Sequence, residues 1–333
     1  MPNDKTYEIL LEKLSEGARE VIFDYDCSDT VMKVFQKIME ERPELFWLTG
    51  SCRYAKSMRG SEVKVKLVPE IMIDDAELAL RRQKFDKAVE QFAAACRADS
   101  EFETVFNIHE AIIDKTEYNF GSANALAAGV RNNEAAVRGM SAYACLVDGH
   151  AVCSGYAKAF QTLCAKLGIR AGRVHGIKLD GGGPHEWNIV WVDGDPYHMD
   201  VTWDDPVFAQ GVKGFRTYDY FCVTTEEVLR THGIDGDSEA PLCTADACNF
   251  FVKKGYFLKK YGFEEAAQII CSQLGNDTVY LKFPDRNEQA AAQEELIKKM
   301  KVFEIPEIRE RYNSLQISAT PNGTLAVRFL KKG

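Results

Sequence analysis

The sequence predicts an α+β fold, on three observations. Helical and strand periodicities alternate through the first hundred residues, a long helical stripe begins at Cys153, and the stretch from His185 to Trp203 has the pattern of a hairpin turning at Asp193-Gly194. With 333 residues and 46% hydrophobic content, the chain can bury a full core and has room for two or three units. The expected division is an N-terminal α/β accessory region over 1–97, a core over 98–235 and a C-terminal α/β accessory region over 236–333.

Taken in order, Lys5 to Leu14 has helical spacing and "REVIFDYD" that of a short strand. Ser28 is placed to cap a helix that keeps Val31, Val34, Phe35 and Ile38 on one face, and Val63, Val65 and Leu67 alternate with charges as in a half-buried strand. A helix is predicted from Ala76 to Cys96. A second opens with Ser100 and Glu103 as a capping box and carries the stripe Phe102, Val105, Ile108 and Ile112, with His109 as a packed core histidine beside it. After Phe120 the composition turns to Gly, Ala and Asn, and the strand-rich stretch that follows ends near Pro206. The C-terminal region should contain a helix from Glu264 to Leu274, a strand "TVYLKF", a helix through "NEQAAAQEELIKKM" and a hairpin turning at Asn322-Gly323.

A net charge of −9 without a basic run excludes an electrostatic footprint for nucleic acid, since neutralising phosphates needs clustered Lys and Arg. The charged, amphipathic start has no secretory apolar core, and no apolar run is long enough to span a bilayer. A cytoplasmic protein without membrane insertion is the expectation, with secretion left open if a leader has been removed. The ten cysteines include no CxxC pair, which argues against zinc and redox motifs.

In "GHAVCSGYAKAF", Cys153 stands at the start of a helix whose stripe runs through Tyr156, Ala157, Phe160, Leu163, Cys164 and Leu167 and which Gly168 should end. The free N–H groups and the positive end of the dipole there favour a thiolate. Gly149, Ala151, Ser154 and Gly155 should leave room for a substrate backbone. Cys164, on the buried stripe, is expected to be packing.

A base comes from the hairpin. If the turn is Asp193-Gly194, Val192 faces Asp195, Trp187 faces Asp200 and His185 faces Thr202. His185 and Asp200 are then diagonal neighbours on one face, about 7 to 8 Å apart between backbones and within side-chain reach. His198 has the opposite parity. His150 and His175 have no carboxylate set by comparable geometry, and His232 is expected in a polar loop. Trp187 should share the face of the pair and wall a cleft, whereas Trp203 should point away.

A cysteine at a helix start followed by His and Asp on successive strands, written here as "GHAVCSGYA", "HEWNIV" and "MDVTWDDP", resembles the transglutaminase-like superfamily of papain-type thiol enzymes, and especially its bacterial peptidase-type domains. The resemblance covers roughly Ser100 to His232. It implies a papain-like core, the nucleophile helix packed on an antiparallel sheet, with Cys153 as nucleophile, His185 as general base and later acid, and Asp200 as the residue that orients the imidazole. Tyr143 is the candidate for a second oxyanion donor beside the Cys153 N–H. Glu186 stands where the family often has a small residue, and should narrow or acidify the mouth.

The implied chemistry is hydrolysis of a peptide or amide bond through a thioester. The alternatives are a protein-glutamine gamma-glutamyltransferase with an amine acceptor, and a non-catalytic scaffold that keeps the fold. The partner would be a peptide or protein, with a cell-wall peptide among the possibilities. No cofactor or metal is expected: Asp204 and Asp205 beside a proline read as a strand-end turn, not a calcium site.

Overall fold

Residues 2–205, 215–236, 238 and 240–331 are described in the computed structural model; Pro206 lies outside them. The amphipathic start forms the helix Pro2–Glu16, and the four-residue stripe starting at Val31 forms the helix Val31–Glu41. Both pack on a three-stranded antiparallel sheet in the order Val21–Phe23, Glu62–Pro69, Cys52–Arg59. Val65 and Leu67 point into this core while Lys64 and Lys66 stay exposed, as the alternation requires. Ser28 is not the cap expected of it. Thr30 precedes the helix without a side-chain cap, and the Ser28 hydroxyl donates to Asp26 instead.

The helix Asp75–Cys96 starts on Asp74, which accepts from Glu77 N–H. In the helix Glu101–Lys115, Ser100 accepts from Glu103 N–H and the expected stripe is buried. His109 is fully buried there, its Nδ1 3.1 Å from Glu110 Oε1. A π-helical turn over Ala144–Asp148 ends at Gly149 with φ +75°, and the chain enters the helix Cys153–Leu167, closed by Gly168 at φ +79°. All of these elements, with Leu229–Pro241, belong to one compact unit that runs from Met1 to Pro196. Residues on both sides of 97 lie in that unit.

The sheet of this unit pairs Ala171–Lys178 antiparallel with Pro184–Val192, in a register that sets Arg173 against Asn188, His175 against Glu186 and Gly176 against His185. His232–Ile234 pairs on the other side of Ala171–Lys178. The Asn188 amide donates to Ala157 O and Gly172 O, fastening the strand to the Cys153 helix. Asp193 and Gly194 both have positive φ, +54° and +92°, the signature of a two-residue type I′ turn.

The second unit comprises Tyr197–Val228 and Leu242–Gly333. Here the strand Asp195–Met199 stops earlier than the hairpin pattern suggests, and Val201–Asp204 is a short helix, so Thr202 and Trp203 are not strand residues. A second antiparallel sheet, ordered Val279–Lys282, Thr324–Lys331, Tyr312–Ala319, packs on the helix Phe263–Ser272 and on Phe283, Leu296 and Ile308. The C-terminal hairpin forms, though its loop spans 320–323, with Gly323 at φ +89°. Asp219, buried, accepts from Lys282 Nζ at 2.7 Å and from the Thr324 hydroxyl.

Candidate active site

Cys153 is the first residue of its helix, as the motif requires. Val152 N–H donates to Gly139 O, pinning the entry. Gly155 is needed for packing and not for substrate access: a Cβ there would meet Ala151 Cβ and Gly139 O, each at 2.7 Å, and Ser141 O at 3.0 Å. Gly149 likewise lies against Lys115 O. None of the ten cysteines is joined in a disulfide, and only Cys52, Cys153 and Cys271 escape burial. Burial pushes Cys52, Cys96 and Cys243 up to about 11 and Cys164 higher still. Burial also raises Cys271, helped by the Glu307 carboxylate beside it.

Cys153 and His185 line one open cleft of about 610 Å³. Its walls come from the Cys153 helix, from both long strands, and from Gln36, Met39, Glu40 and Gly50 of the N-terminal region. His185 is 5% exposed, with the Trp187 ring on its own face at 5.9 Å between centroids. Trp187 is buried behind the histidine against Gly176 and does not line the cleft, so the wall expected of it is a back wall. His232, expected in a polar loop, is fully buried on a strand, its ring 5.2 Å from that of His185 and 4.8 Å from that of Trp187. Its Nδ1 lies 2.8 Å from the Thr231 hydroxyl. Sequence reasoning missed it because the three-residue strand His232–Ile234 is too short to show a period.

Glu186 lines the cleft but does not acidify it. Arg173 Nη1 donates to its Oε1 at 2.6 Å, and His175 Nδ1 lies 3.9 Å from its Oε2. Burial alone would raise the carboxyl, yet Arg173 and Lys158 outweigh it and hold Glu186 down at about 2. Arg173 also donates to Met39 O, Glu40 and Gln161. Glu40 accepts from His175 Nε2 at 3.0 Å, which raises the histidine above its ordinary value. His175 thus has a carboxylate partner that the sequence did not suggest, 135 residues away.

Asp200 lies in the second unit, where it caps the helix Val201–Asp204: its Oδ1 accepts from Thr202 N–H and Trp203 N–H at 3.0 and 3.2 Å. Trp203 packs edge-on against Tyr220. Asp204 accepts from the Thr217 hydroxyl and Tyr220 N–H, organising the local turn. His198 Nε2 meets the Thr225 hydroxyl. Tyr143 is the misplaced candidate. It is 4% exposed, packed on Phe46 and Phe85 with the Arg81 guanidinium 5.7 Å from its ring, and it is not part of the Cys153 cleft.

A helix-borne cysteine and a strand-borne histidine line one cleft on a mixed helix and sheet fold. Residues 88–201 match the family model of the transglutaminase-like superfamily, so the resemblance carried by the three motifs is found again by that comparison. Among solved structures, one of a TGase is 16% identical with a TM-score of 0.34, over 60% of this chain and 54% of that one. One described as a "Putative Cysteine Protease from Cytophaga hutchinsonii" is also 16% identical, with a TM-score of 0.28, over 46% of this chain and 63% of that one. The chain thus spans about half of the TGase chain. No curated protein matches. Among the described residues, no helix is long and apolar enough to cross a membrane.

Proposed function

We propose that the protein is a thiol acyl-transfer enzyme that hydrolyses peptide or amide bonds, with Cys153 as nucleophile, His185 as acid and base, and Asp200 as the group that orients His185. The observation that carries this reading is that Cys153 and His185 line the same cleft. The role of Asp200 rests on the "MDVTWDDP" motif, and two backbone N–H groups hold its carboxylate.

In the proposed reaction the Cys153 sulfur forms a bond to the substrate carbonyl carbon as the carbonyl electron pair moves to oxygen, where the Cys153 N–H donates to it. Collapse breaks the C–N bond, His185 gives its proton to the departing nitrogen, and a thioester remains. Water then adds as His185 takes its proton, and the C–S bond breaks to return the thiolate and release the acid. Water is favoured over an amine because an amine acceptor needs a tunnel closed by aromatic rings. Among the described lining residues, Tyr118 alone supplies a Phe, Tyr or Trp ring. Glu186 adds no net negative charge at the mouth, since Arg173 neutralises it.

The test is to incubate the protein with a peptide library and a labelled primary amine and to read products by mass spectrometry. Cleaved or deamidated peptides are expected from the wild type and none from Cys153→Ser or His185→Ala. Products dominated by amine incorporation would overturn the choice of water, and undiminished turnover by Cys153→Ser would overturn the mechanism.

A further inference from the structure

Ser154 and Lys158 stand four residues apart on the Cys153 helix and so present their side chains on one side of it. Both line the cleft with Cys153 and Glu186. Ser154 is 4% exposed and its hydroxyl has no hydrogen-bond partner. Glu186 is near enough to feel that hydroxyl, but the geometry falls short of a hydrogen bond. Lys158, half-buried, forms no ion pair and no side-chain hydrogen bond among the described residues. Burial pushes its ammonium below the usual lysine range, with Glu186, Arg173, Glu40 and Cys153 as the charged or ionisable groups around it.

The two carboxylates closest to this lysine are committed elsewhere. Glu186 is held by Arg173, and Glu40 by Arg173 and His175. Arg131 and Lys178 add positive charge to the cleft wall, against one carboxylate outside the Arg173 network, Asp235. A buried hydroxyl and an ammonium on one helix face lack a hydrogen-bonded acceptor of their own, with Glu186 near both but bonded to Arg173, an arrangement that a carboxylate arriving with a ligand would relieve.

We propose that Ser154 and Lys158 form a subsite for a carboxylate carried by the acyl donor, so that the cleft selects acidic peptides. A carboxylate there accepts from both side chains and pairs with the Lys158 ammonium, whereas a cationic peptide meets that ammonium with a like charge. The inference rests on the thiol acyl-transfer reading for the identity of the cleft as the substrate site.

Binding is the appropriate readout, because it can be measured without the nucleophile. Pairs of N-acetylated, C-amidated peptides that differ only in Glu against Gln are titrated by calorimetry into the Cys153→Ser protein. The acidic member should bind at least tenfold tighter, Lys158→Met in the same background should reduce that preference to twofold or less, and Lys158→Arg should keep most of it. Ser154→Ala, a smaller change, should lower the preference partly and serves if Lys158→Met does not fold. Equal binding of the two members, no binding of either, or a preference that survives the loss of Lys158 overturns the subsite. Failure of the chemistry would show instead in the product assay, with peptide binding intact.

Discussion

Arg173 holds together four partners that the sequence keeps far apart: Glu186 on the neighbouring strand, Glu40 and Met39 O from the N-terminal region, and Gln161 on the Cys153 helix. Its side chain is 3% exposed, so removing it leaves Glu186 buried and uncompensated. Arg173→Met should cost about 3 to 5 kcal/mol at pH 7, read by urea unfolding, and adding Glu186→Gln should recover part of it. The sign of the pH dependence follows from Glu186. Its folded value of about 2 lies below the ordinary 4.5, so its stabilising contribution is complete above 4.5 and is lost as pH falls toward 2. The gap between wild type and Arg173→Met should therefore shrink below pH 4.5; a gap independent of pH, or under about 1 kcal/mol at pH 7, would show that Arg173 is not the counter-ion that matters. The places of Cys153 at a helix start and of His185 on a strand were legible because each sits in a local pattern. The charge state of Glu186 was not, because it is fixed by partners from a helix and a strand whose pairing no local period encodes.

At the scale of elements, the helix Cys153–Leu167 was legible at both ends, from the small residues around Cys153 and from Gly168. The reason for one of those residues was not: Gly155 admits the backbone of 139–141 and not a substrate. The strand after the turn was drawn too long because "MDVTW" keeps its apolar alternation while Asp200 captures two N–H groups and starts a helical turn. Gly155→Ala puts a methyl within 2.7 Å of Gly139 O, a backbone atom that cannot swing aside. The expected cost is about 1 to 3 kcal/mol, together with displacement of the first helical turn. Under limited iodoacetamide, Cys153 should be the first of the ten thiols alkylated in the wild type, since it lines the open cleft while burial shifts Cys27, Cys52, Cys96, Cys164, Cys243 and Cys271 upward. In Gly155→Ala that lead should fall severalfold. Peptide mapping that finds several thiols labelled equally in the wild type would remove Cys153 from its role, and an unchanged lead in the variant would mean that the helix start absorbs the methyl.

At the scale of the whole chain, the residues divide into two compact units, with Met1–Pro196 and Leu229–Pro241 in the first. The pattern change at 97 is a real change of local structure, from the end of one helix to the cap of the next, yet residues on both sides of it fold into the same unit. The reason is chemical: Arg173 Nη2 donates to Met39 O, the Gln161 amide donates to Glu40 O, and Gln36, Met39, Glu40 and Gly50 form part of the cleft. A chain that begins at residue 98 would leave Arg173 without two of its acceptors and His175 without Glu40, and would expose the apolar side chains of 102–163 that pack beneath the removed helices. Such a chain should melt without a cooperative transition by circular dichroism, or at a Tm at least 10 °C below the full protein, and should not bind the peptides that the Cys153→Ser protein binds. A fragment 98–333 that melts cooperatively near the full-length Tm and keeps peptide affinity would make the N-terminal region a separable accessory, the arrangement the sequence suggests, and would move the specificity of the cleft back onto the Cys153 helix and the two long strands alone.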